Sequence, residues 1–456
     1  MNVSFDYGKV IAKIKPDEGE INKSRELAST IARFIKEKYG LDARLMGSVA
    51  KNTFLSGDKD LDIFVLFPLS VSREDLEKNG LEIGKAVFEK FGLGRGKYIV
   101  SYAEHPYTKG MIEEYKAEIV PAYLIKSTKE LLSAVDRTPF HTEYVISHLK
   151  MHDEVRILKK FLKGIGCYGS DLKTEGFSGY LCELLIIRYG TFENALKESS
   201  GWKCPQIIDI EGHHSKHEEI KIRRMFPEQP LIVIDPIDES RNVAAVLSLE
   251  KLSKFMVAAR NFLKVPNANY FFPLKKKIDA KKIVESLNKK GTCIYAVTFE
   301  KPDVIEDVLY PQLRKLLANF DSYLKRHDFM IIDSWAFADN ECGIGFKAAN
   351  TEVSKYKIVL GPSVFNPIKH QETFISKYKN VQLRDDRYVT EVKRDCNVID
   401  DCIRLYFRGN AQELKDRGVP SYFSKAISKG TRVLKDKQVV AIKSEEFFLG
   451  AERERI

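Results

Sequence analysis

The chain has 456 residues, of which 44% are hydrophobic and 30% charged, and Lys and Arg together exceed Asp and Glu by 10. This composition excludes disordered and fibrous proteins, and the length predicts about three domains whose cores need no disulfide or metal to fold. No stretch approaches the ~20 apolar residues of a membrane helix, and the charged N-terminal segment lacks a signal-peptide core, so we expect a cytoplasmic protein.

The first 145 residues predict an α+β domain with a mostly antiparallel or mixed sheet, because helical and alternating apolar spacings follow one another. Its predicted elements, in chain order, are a helix at 22–39 capped by Asn22 or Ser24, a turn at Gly47, a strand at 61–68, a helix at 74–91, and strands at 98–104 and 115–123 joined by a turn at 105–110.

Residues from about 150 to 265 predict mainly helices, and strands and helices alternate again after Pro266. The predicted helices are 153–164, 177–190, 249–263 and 310–326, and the later strands are 293–300, 330–337 and 357–362. We therefore expect an α+β multidomain chain with an α+β head at 1–145, a helical central domain at 146–265, and an α/β C-terminal body and tail at 266–456.

Basic residues are concentrated in the last of these domains. Residues 266–456 hold 34 basic and 26 acidic side chains, whereas residues 1–265 hold 40 and 38. A basic module beside a nearly neutral one is typical of a polyanion-binding domain attached to a catalytic domain, and the alternative is a Lys-rich solvated surface.

The 7 cysteines are scattered, and none is spaced as Cys-x-x-Cys. This argues against a disulfide framework and against a structural zinc site, so we expect most of them to be small buried hydrophobes. They are Cys167, Cys182, Cys204, Cys293, Cys342, Cys396 and Cys402.

The segment GSVAKNTFLSGDKDLDIFVLFP, residues 47–68, carries the strongest chemical signal. Asp60 and Asp62 lie two apart in the predicted strand, so both carboxylates project from one face, and such hard oxygen ligands suit Mg²⁺. Gly47 and Ser48 precede them in a turn whose backbone N–H groups and hydroxyl suit a phosphate. The segment therefore predicts a two-metal phosphoryl-transfer site, and the alternative is an acidic pair on a solvated surface.

A third carboxylate is predicted from another strand. Glu118 alternates away from Ala117 and Ile119, and an acid inside an apolar strand is seldom there to pack, although an outward-facing surface Glu is the alternative. The order of a Gly-Ser pair, a short spacer and Asp-hydrophobic-Asp-hydrophobic resembles the nucleotidyltransferase superfamily that includes DNA polymerase β.

Longer segments resemble one family of that superfamily, the archaeal, class I, CCA-adding enzymes, which are tRNA nucleotidyltransferases. They occur in the family's order over roughly the first half of the chain, and AVDRTPFH with GFSGYLCE is more specific than the superfamily signature. The segments are GSVAKNTFL (47–55), LEIGKAVFEKFG (81–92), YAEHPY (102–107), AVDRTPFHTEY (134–144), EVRILKKFLKGIGCYG (154–169), GFSGYLCELLI (176–186) and DPIDESRNVAAVLS (235–248). The C-terminal part matches in length and basic character.

The resemblance implies roles for the acids and the turn. Asp60 and Asp62 match the two metal-binding acids of the family. Glu118 stands where the family has Asp, so it is expected to serve the catalytic metal or to activate the attacking 3′-hydroxyl through water. Ser48, with Gly47, matches the phosphate contact. Lys51 stands where Arg is common, which keeps a cation but loses the bidentate fork.

The resemblance also implies nucleotide contacts from the central domain. His141, Lys159 and Tyr168 match residues that contact the ribose and triphosphate, Thr138 is a further candidate for that pocket, and Arg241 matches the Arg that reads the base edge of CTP and ATP. The residues alone permit other interpretations. Lys159 with Lys160 fits the solvated face of a helix, Tyr168 a core aromatic, and His141 a helix cap.

Three further patterns favour binding or structure over catalysis. Aromatic and basic residues alternate in 323–329, 354–357, 376–380, 404–410 and 421–437. The Lys and Arg side chains would neutralise phosphates while the rings pack on sugars or nucleobases. The alternative is an ordinary surface in which about half of the rings belong to the core. The histidines of 211–219 lack apolar framing and predict a loop, not a metal site. His105 is expected to be structural, or to approach the acceptor strand.

The resemblance implies an enzyme that adds C, C and A from CTP and ATP to the 3′ end of tRNA, without a nucleic-acid template, with two Mg²⁺ ions and release of pyrophosphate. The head would catalyse, the central domain complete the nucleotide pocket, and the C-terminal part bind the tRNA acceptor arm. The alternatives are a poly(A)-polymerase-like enzyme and a tRNA-binding protein with an inactive head, which Glu118 alone favours. A homodimer is compatible with the sequence.

Overall fold

The computed structural model describes residues 5–92, 98–102, 104–274 and 279–451. The chain divides into two compact units, Met1–Leu274 and Lys275–Arg455. Among the described residues, no helix combines the length and the apolar character needed to cross a membrane.

The first unit holds ten helices and eight strands in its described residues. The helices are α1 (Tyr7–Ile14), α2 (Glu18–Tyr39), α3 (Gly47–Ala50), α4 (Arg73–Lys90), α5 (Thr138–His148), α6 (His152–Gly164), α7 (Gly179–Tyr189), α8 (Phe192–Ser200), α9 (Glu219–Met225) and α10 (Leu249–Lys264). The strands are β1 (Asp42–Met46), β2 (Asp60–Phe67), β3 (Tyr98–Tyr102), β4 (Pro106–Ile112), β5 (Tyr115–Tyr123), β6 (Gln206–Asp209), β7 (Leu231–Asp235) and β8 (Asp238–Asn242).

The main sheet of the first unit has the strand order β1-β2-β5-β4-β3. Strands β2 and β5 are parallel and the other neighbours antiparallel, which confirms the predicted mixed sheet. Helices α2 and α4 pack on the sheet. Strand β2 is buried beyond its first residues, so its sequence is a nearly continuous apolar run after the two acids. Asp60 and Asp62 therefore lie where the strand begins, at that end of the sheet.

Two local predictions in this sheet region are wrong. Helix α2 begins at Glu18, and its cap is Asp17, whose side chain accepts the backbone N–H of Glu20, rather than Asn22 or Ser24. The first turn of α2 is largely exposed and polar, so apolar spacing did not reveal it. The predicted turn at 105–110 is instead strand β4, which pairs antiparallel with both β3 and β5, because tertiary pairing overrides the weak local propensity of this segment. Ala103, within the predicted strand 98–104, lies outside the described residues.

The central helices share one hydrophobic core. Helices α6, α7, α8 and α10 contribute to it together with α1, and Phe161, Phe192, Phe255 and Phe262 are fully buried there. The three predicted helices of this region are confirmed within about two residues at each end, a normal margin for helix boundaries. A three-stranded sheet of order β6-β7-β8, which the helical pattern did not predict, adds β7 to this core.

The second unit contains seven helices and seven strands in its described residues. The helices are α11 (Ala280–Lys289), α12 (Glu306–Arg326), α13 (Ile368–Lys377), α14 (Ile399–Phe407), α15 (Ala411–Asp416), α16 (Ser421–Lys429) and α17 (Glu445–Ala451). The strands are β9 (Cys293–Phe299), β10 (Ile331–Ala338), β11 (Cys342–Ala348), β12 (Tyr356–Ser363), β13 (Gln382–Arg384), β14 (Arg387–Lys393) and β15 (Arg432–Lys435). One sheet has the order β10-β11-β9-β15, and a smaller one has the order β12-β14-β13.

One cysteine pair departs from the prediction of small buried hydrophobes. Cys396 and Cys402 form a disulfide, which the search for Cys-x-x-Cys spacing did not reveal because the chain turns from β14 into α14 between them. Cys167, Cys182 and Cys342 are free and buried as predicted.

Candidate active site

A cavity of about 310 Å³ opens at the acidic end of β2 in the first unit. It gathers eight of the residues singled out in the sequence: Gly47, Ser48, Lys51, Asp60, Asp62, Glu118, Lys159 and Tyr168. Four further lining residues were missed: Lys116, Gly179, Tyr180 and Glu183. Thr138, His141 and Arg241 do not line it.

The parallel pairing of β2 with β5 assembles the acids. Its register sets Asp62 beside Glu118 and Asp60 beside Lys116. The Lys116 ammonium lies 3.5 Å from an Asp60 oxygen and 3.2 Å from a Glu118 oxygen. Glu118 therefore faces the other two acids, and the interpretation of it as an isolated surface Glu is wrong.

Burial and the neighbouring acids both disfavour the ionised form of Asp62. Burial, together with the charges of Glu118 and Asp60, raises the pKa of Asp62 to about 6. A carboxyl in such surroundings is stabilised by a cation, and three carboxylates offer the oxygen donors that a divalent ion takes. Among the described residues, the oxygens of the three acids do not all lie within 4.8 Å of one another.

Gly47 brings the backbone of the turn against the acids. Its φ is +68°, and a Cβ at this position would lie 1.8 Å from Asp62 Oδ2. Both features require glycine, because other residues rarely adopt this conformation and have no space for the side chain. The predicted turn and the short helix α3 are thereby confirmed, with Ser48 on the cavity wall.

A buried ionic network around Glu183 forms another part of the cavity wall. Lys51 Nζ lies 2.6 Å from a Glu183 oxygen, and Thr53 Oγ1 donates to the other Glu183 oxygen at 2.5 Å. Lys159 Nζ donates to the Thr53 carbonyl at 3.0 Å and lies 3.7 Å from Glu183. Burial raises the pKa of Glu183, but the ammonium groups of Lys51 and Lys159 outweigh it and hold that pKa below its usual range.

Lys159 is therefore not on a solvated face of α6, since its side chain is only 3% exposed. That interpretation fits its neighbour Lys160 better, which lies partly exposed with its ammonium 4.8 Å from the Phe272 ring centre. The signal that sequence reasoning missed is Glu183 itself, an acid inside the apolar run LCELLII. Tyr168 packs against the hydrophobic core and also lines the cavity. Burial raises the pKa of its hydroxyl.

A second cluster lies behind Tyr180. The Asp235 carboxylate accepts hydrogen bonds from Arg241 at 2.7 Å through Oδ2 and from the Tyr180 hydroxyl at 3.2 Å through Oδ1. His141 Nε2 also lies 2.8 Å from Oδ2. The rings of His141 and Tyr180 have centres 4.2 Å apart, so the cluster touches the cavity through Tyr180. Burial lowers the pKa of His141, which favours the neutral imidazole.

The alternative of His141 as a helix cap is wrong, because its ring is bonded to Asp235. Asp235 was missed, although it ends a strand, β7, that is buried throughout. Thr138 begins α5, and its carbonyl accepts the Thr142 hydroxyl at 2.9 Å, outside the cavity.

Two other histidines that the sequence analysis considered, His105 and His213, have structural surroundings. His105 is 1% exposed and lies 3.4 Å from Glu77, and His213 Nε2 lies 2.9 Å from the Pro236 carbonyl. No metal-binding group involves 211–219 in the part of the chain that the structure describes.

The aromatic-basic segments of the second unit are mixed. Phe329, Tyr406 and Phe423 are buried in its core, whereas Tyr356 and Tyr422 are about half exposed, at 55% and 49%. The expectation that about half of these rings are core is met by these examples. The exposed rings beside lysines remain available for contact with a polyanion.

Comparison with protein families gives three consecutive matches. Residues 28–141 match a nucleotidyltransferase domain, residues 153–272 the second domain of tRNA nucleotidyltransferase, and residues 290–436 the C-terminal domain of CCA-adding enzyme. The three matches cover most of the chain.

Curated relatives match nearly end to end. A CCA-adding enzyme of Methanocaldococcus jannaschii is 37% identical over 91% of this chain and 92% of that protein. Those of Methanothermobacter thermautotrophicus and Archaeoglobus fulgidus are each 38% identical, over 86% and 83% of this chain and the same shares of those proteins. Among solved structures, a cytoplasmic RNA terminal U-transferase aligns with a TM-score of 0.43 and 14% identity, covering 59% of this chain and 94% of that chain.

Proposed function

This chain belongs to the CCA-adding enzyme family and is a CCA tRNA nucleotidyltransferase, and we propose that Asp60, Asp62 and Glu118 carry its chemistry as the ligands of two Mg²⁺ ions. The observation that carries the proposal is the register of β2 and β5, which sets Asp62 beside Glu118 while Gly47 closes against Asp62. When bound, the ions acidify the attacking tRNA 3′-hydroxyl and neutralise the triphosphate and the leaving pyrophosphate.

The carboxylates have distinct tasks in this proposal. Asp62, the buried acid with the raised pKa, would be a ligand of the ions. Glu118 would accept the 3′-hydroxyl proton directly or would help to hold an ion, since its side chain reaches one methylene further than Asp. Lys116 pairs with Asp60 and Glu118 in this structure, and it would be able to contact the triphosphate or the tRNA backbone once ions neutralised those acids.

The polar and basic residues of the cavity would bind the triphosphate. Ser48, Lys51 and Lys159 line the same cavity as the acids, so a bound triphosphate would meet their hydroxyl and ammonium donors as well as the ions. Glu183 offsets part of the positive charge when no nucleotide is bound, and it holds both lysines in place.

Arg241 and His141 are proposed to hold the base and ribose edge, with Asp235 as the positioning residue that fixes both. The basic second unit, with exposed rings such as Tyr356 and Tyr422, is proposed to hold the tRNA acceptor arm. No sequence-reading fold is needed for this, because folded RNA is bound mostly through shape and backbone.

Replacing Asp235 by Asn is expected to lower kcat/KM for CTP and ATP by about 10- to 100-fold, because His141 and Arg241 lose their shared anion. The ratio of kcat/KM for CTP and ATP to that for UTP and GTP should also decrease. The measurement is single-nucleotide addition with each of the four triphosphates. Asp238→Asn, which removes the neighbouring pair with Arg137, is the matched control and should retain discrimination. An Asp235 variant with unchanged discrimination would remove Asp235 from base selection.

The activity is tested with purified protein, Mg²⁺ and a tRNA transcript that lacks its last three nucleotides. We expect growth by two nucleotides with CTP alone and by three with CTP and ATP, and none with UTP or GTP, read as product lengths on a gel. A long ladder with ATP alone would instead indicate a poly(A) polymerase. Bound but unextended tRNA would indicate an inactive head, and Glu118→Asp would then be the next variant.

A further inference from the structure

Three side chains with metal-binding atoms meet in the second unit, far along the chain from the acids of the cavity. His327 follows the end of α12, Cys396 lies between β14 and α14, and Cys402 lies within α14. One ligand atom of each falls within 4.8 Å of the others, and this is the one such group among the described residues. Both cysteines are buried, at 6% and 0% exposure, whereas His327 is partly exposed.

The histidine ring is oriented by a bond from behind. His327 Nδ1 lies 2.9 Å from the Tyr323 carbonyl oxygen, so Nδ1 carries the hydrogen and Nε2 keeps its lone pair. Metal-binding histidines typically use the same arrangement, in which a carbonyl fixes the tautomer and the ring direction. The Tyr323 ring, with its centre 4.4 Å from the imidazole, restrains the ring further.

The backbone that carries the cysteines is also fixed. Val353 N–H donates to the Asn397 carbonyl at 2.9 Å, and Ile399 N–H donates to the Thr351 carbonyl at 2.9 Å. The residues between Cys396 and Cys402 therefore form a preformed turn that follows strand β14. Preformed ligands bind a metal with less ordering cost than ligands on a free loop.

We propose that the reduced chain binds one Zn²⁺ ion through the thiolates of Cys396 and Cys402 and the imidazole of His327, and that the disulfide is the oxidised, metal-free form of this site. Two sulfurs and one nitrogen are the donor set that zinc favours, and a water would complete four-coordination. Binding releases one proton from each thiol and transfers no electron. Opening the disulfide takes two electrons and two protons from a dithiol reductant, which becomes a disulfide itself.

The side chains need only a small change between the two forms. The Cα atoms of Cys396 and Cys402 are 5.5 Å apart. Zn–S bonds of about 2.3 Å in a tetrahedron place two sulfurs roughly 3.8 Å apart, so rotation of the thiols suffices to open the pair. The disulfide joins the segment after β14 to α14, and the metal form would in addition join both to His327 at the end of α12.

The test uses Co²⁺ as a spectroscopic probe of the full-length protein. The chain is reduced with a phosphine, stripped with a chelator, freed of both reagents without air, and titrated with Co²⁺. We expect a thiolate-to-cobalt charge-transfer band that saturates at one ion per chain and disappears when one equivalent of Zn²⁺ is added. Cys402→Ser should remove the band, and His327→Gln should weaken binding more than tenfold. Cys342→Ser, which changes a free buried cysteine of the same unit, should retain it.

The oxidised wild-type protein is the control that does not depend on a variant's folding, and it should give no charge-transfer band. Absence of the band in reduced protein whose Cys396 and Cys402 thiols are demonstrably free would overturn the proposal. An equal band in the oxidised protein would do the same. Ions bound by Asp60, Asp62 and Glu118 give no thiolate band, so neither result bears on nucleotide addition.

Discussion

Asp62→Asn is expected to lower the rate of nucleotide incorporation at least ~10³-fold while tRNA affinity stays within about twofold of the wild type. Asparagine keeps the shape of the side chain but removes the charge that the proposed ions would need. The substitution leaves the basic second unit untouched, so the RNA contacts proposed for that unit should remain. Single-turnover addition of CMP and a tRNA mobility-shift titration, made on the same preparation, measure the two effects.

The matched control for this change is Asp58→Asn. Asp58 lies two residues before Asp60, pairs with Lys163 at 2.8 Å, and is not part of the cavity lining. It should retain nearly all activity, because it removes a carboxylate of the same kind from the turn just before β2, outside the cavity. Retained turnover in the Asp62 variant would contradict the metal assignment.

The same Asp62→Asn change is expected to stabilise the metal-free protein at pH 8. Burial beside Glu118 and Asp60 raises the pKa of Asp62 to about 6, above the ordinary aspartate value of 3.8, so the folded chain binds this proton more tightly than the unfolded chain. The resulting cost of ionisation is absent below pH 4, grows between pH 4 and 6, and is complete above pH 6. Its size is about 2–3 kcal/mol.

Urea unfolding in a chelator, at pH 4.5 and at pH 8, measures this effect on stability. The free energy of unfolding of the Asp62 variant should exceed that of the wild type at pH 8, and the difference should shrink at the lower pH. A gain in stability with a loss of activity is the pattern expected of a charged cluster kept for its chemistry. Equal stabilities at pH 8 would show that neither burial nor the neighbouring acids disfavour the ionised Asp62 side chain in the folded chain.

The acids were predictable because their signal is local. Strand periodicity places Asp60 and Asp62 on one face, and Gly47 indicates a turn. The spacing along one short segment therefore predicts several of the residues that line the cavity. Glu118 was predictable as an acid in an apolar strand, but its place beside Asp62 depends on the parallel register of β2 and β5. Such a register follows from the whole sheet and not from either strand alone.

The partners of the basic residues were not predictable in the same way. The three charged residues come from separate elements: Lys51 follows α3, Lys159 lies in α6 and Glu183 lies in α7. An amphipathic pattern assigns a lysine to solvent unless a buried acid is known to face it. Asp235 depends likewise on a contact across 94 residues to His141. Sequence spacing finds which residues lie on one face of an element, and tertiary contacts decide what that face meets.

Strand β4 shows the same limit in the fold itself. Its sequence, PYTKGMI, begins with Pro and contains Gly, both of which argue for a turn. Hydrogen bonds to β3 on one side and β5 on the other nevertheless make it an inner strand. The Cys396–Cys402 pair was missed for a related reason, since a turn between a strand and a helix brings together residues that linear spacing separates.

Glu183→Gln is expected to lower the free energy of unfolding by about 3–5 kcal/mol, the usual cost of removing one partner from a buried ion pair. The side chains of Glu183 and Lys159 are 0% and 3% exposed, and that of Lys51 is 9% exposed. Without the carboxylate, two ammonium groups are left close together with neutral oxygens only. Urea or thermal unfolding at pH 7.5 measures the loss, and Glu193→Gln, which breaks an exposed pair with Lys197 on the adjacent helix, should change stability little.

A second substitution separates the loss of charge balance from the loss of shape. Lys51→Met in the Glu183→Gln background removes one of the two unpaired cations, so it should restore part of the lost stability, although the same change in the wild type should be destabilising. A positive coupling in this double-mutant cycle means that Glu183 and Lys51 stabilise each other as ions. If Glu183→Gln costs no more than Glu193→Gln, the pair is not ionised in the folded chain, and Lys51 would then have to bind the triphosphate without the carboxylate that now holds it.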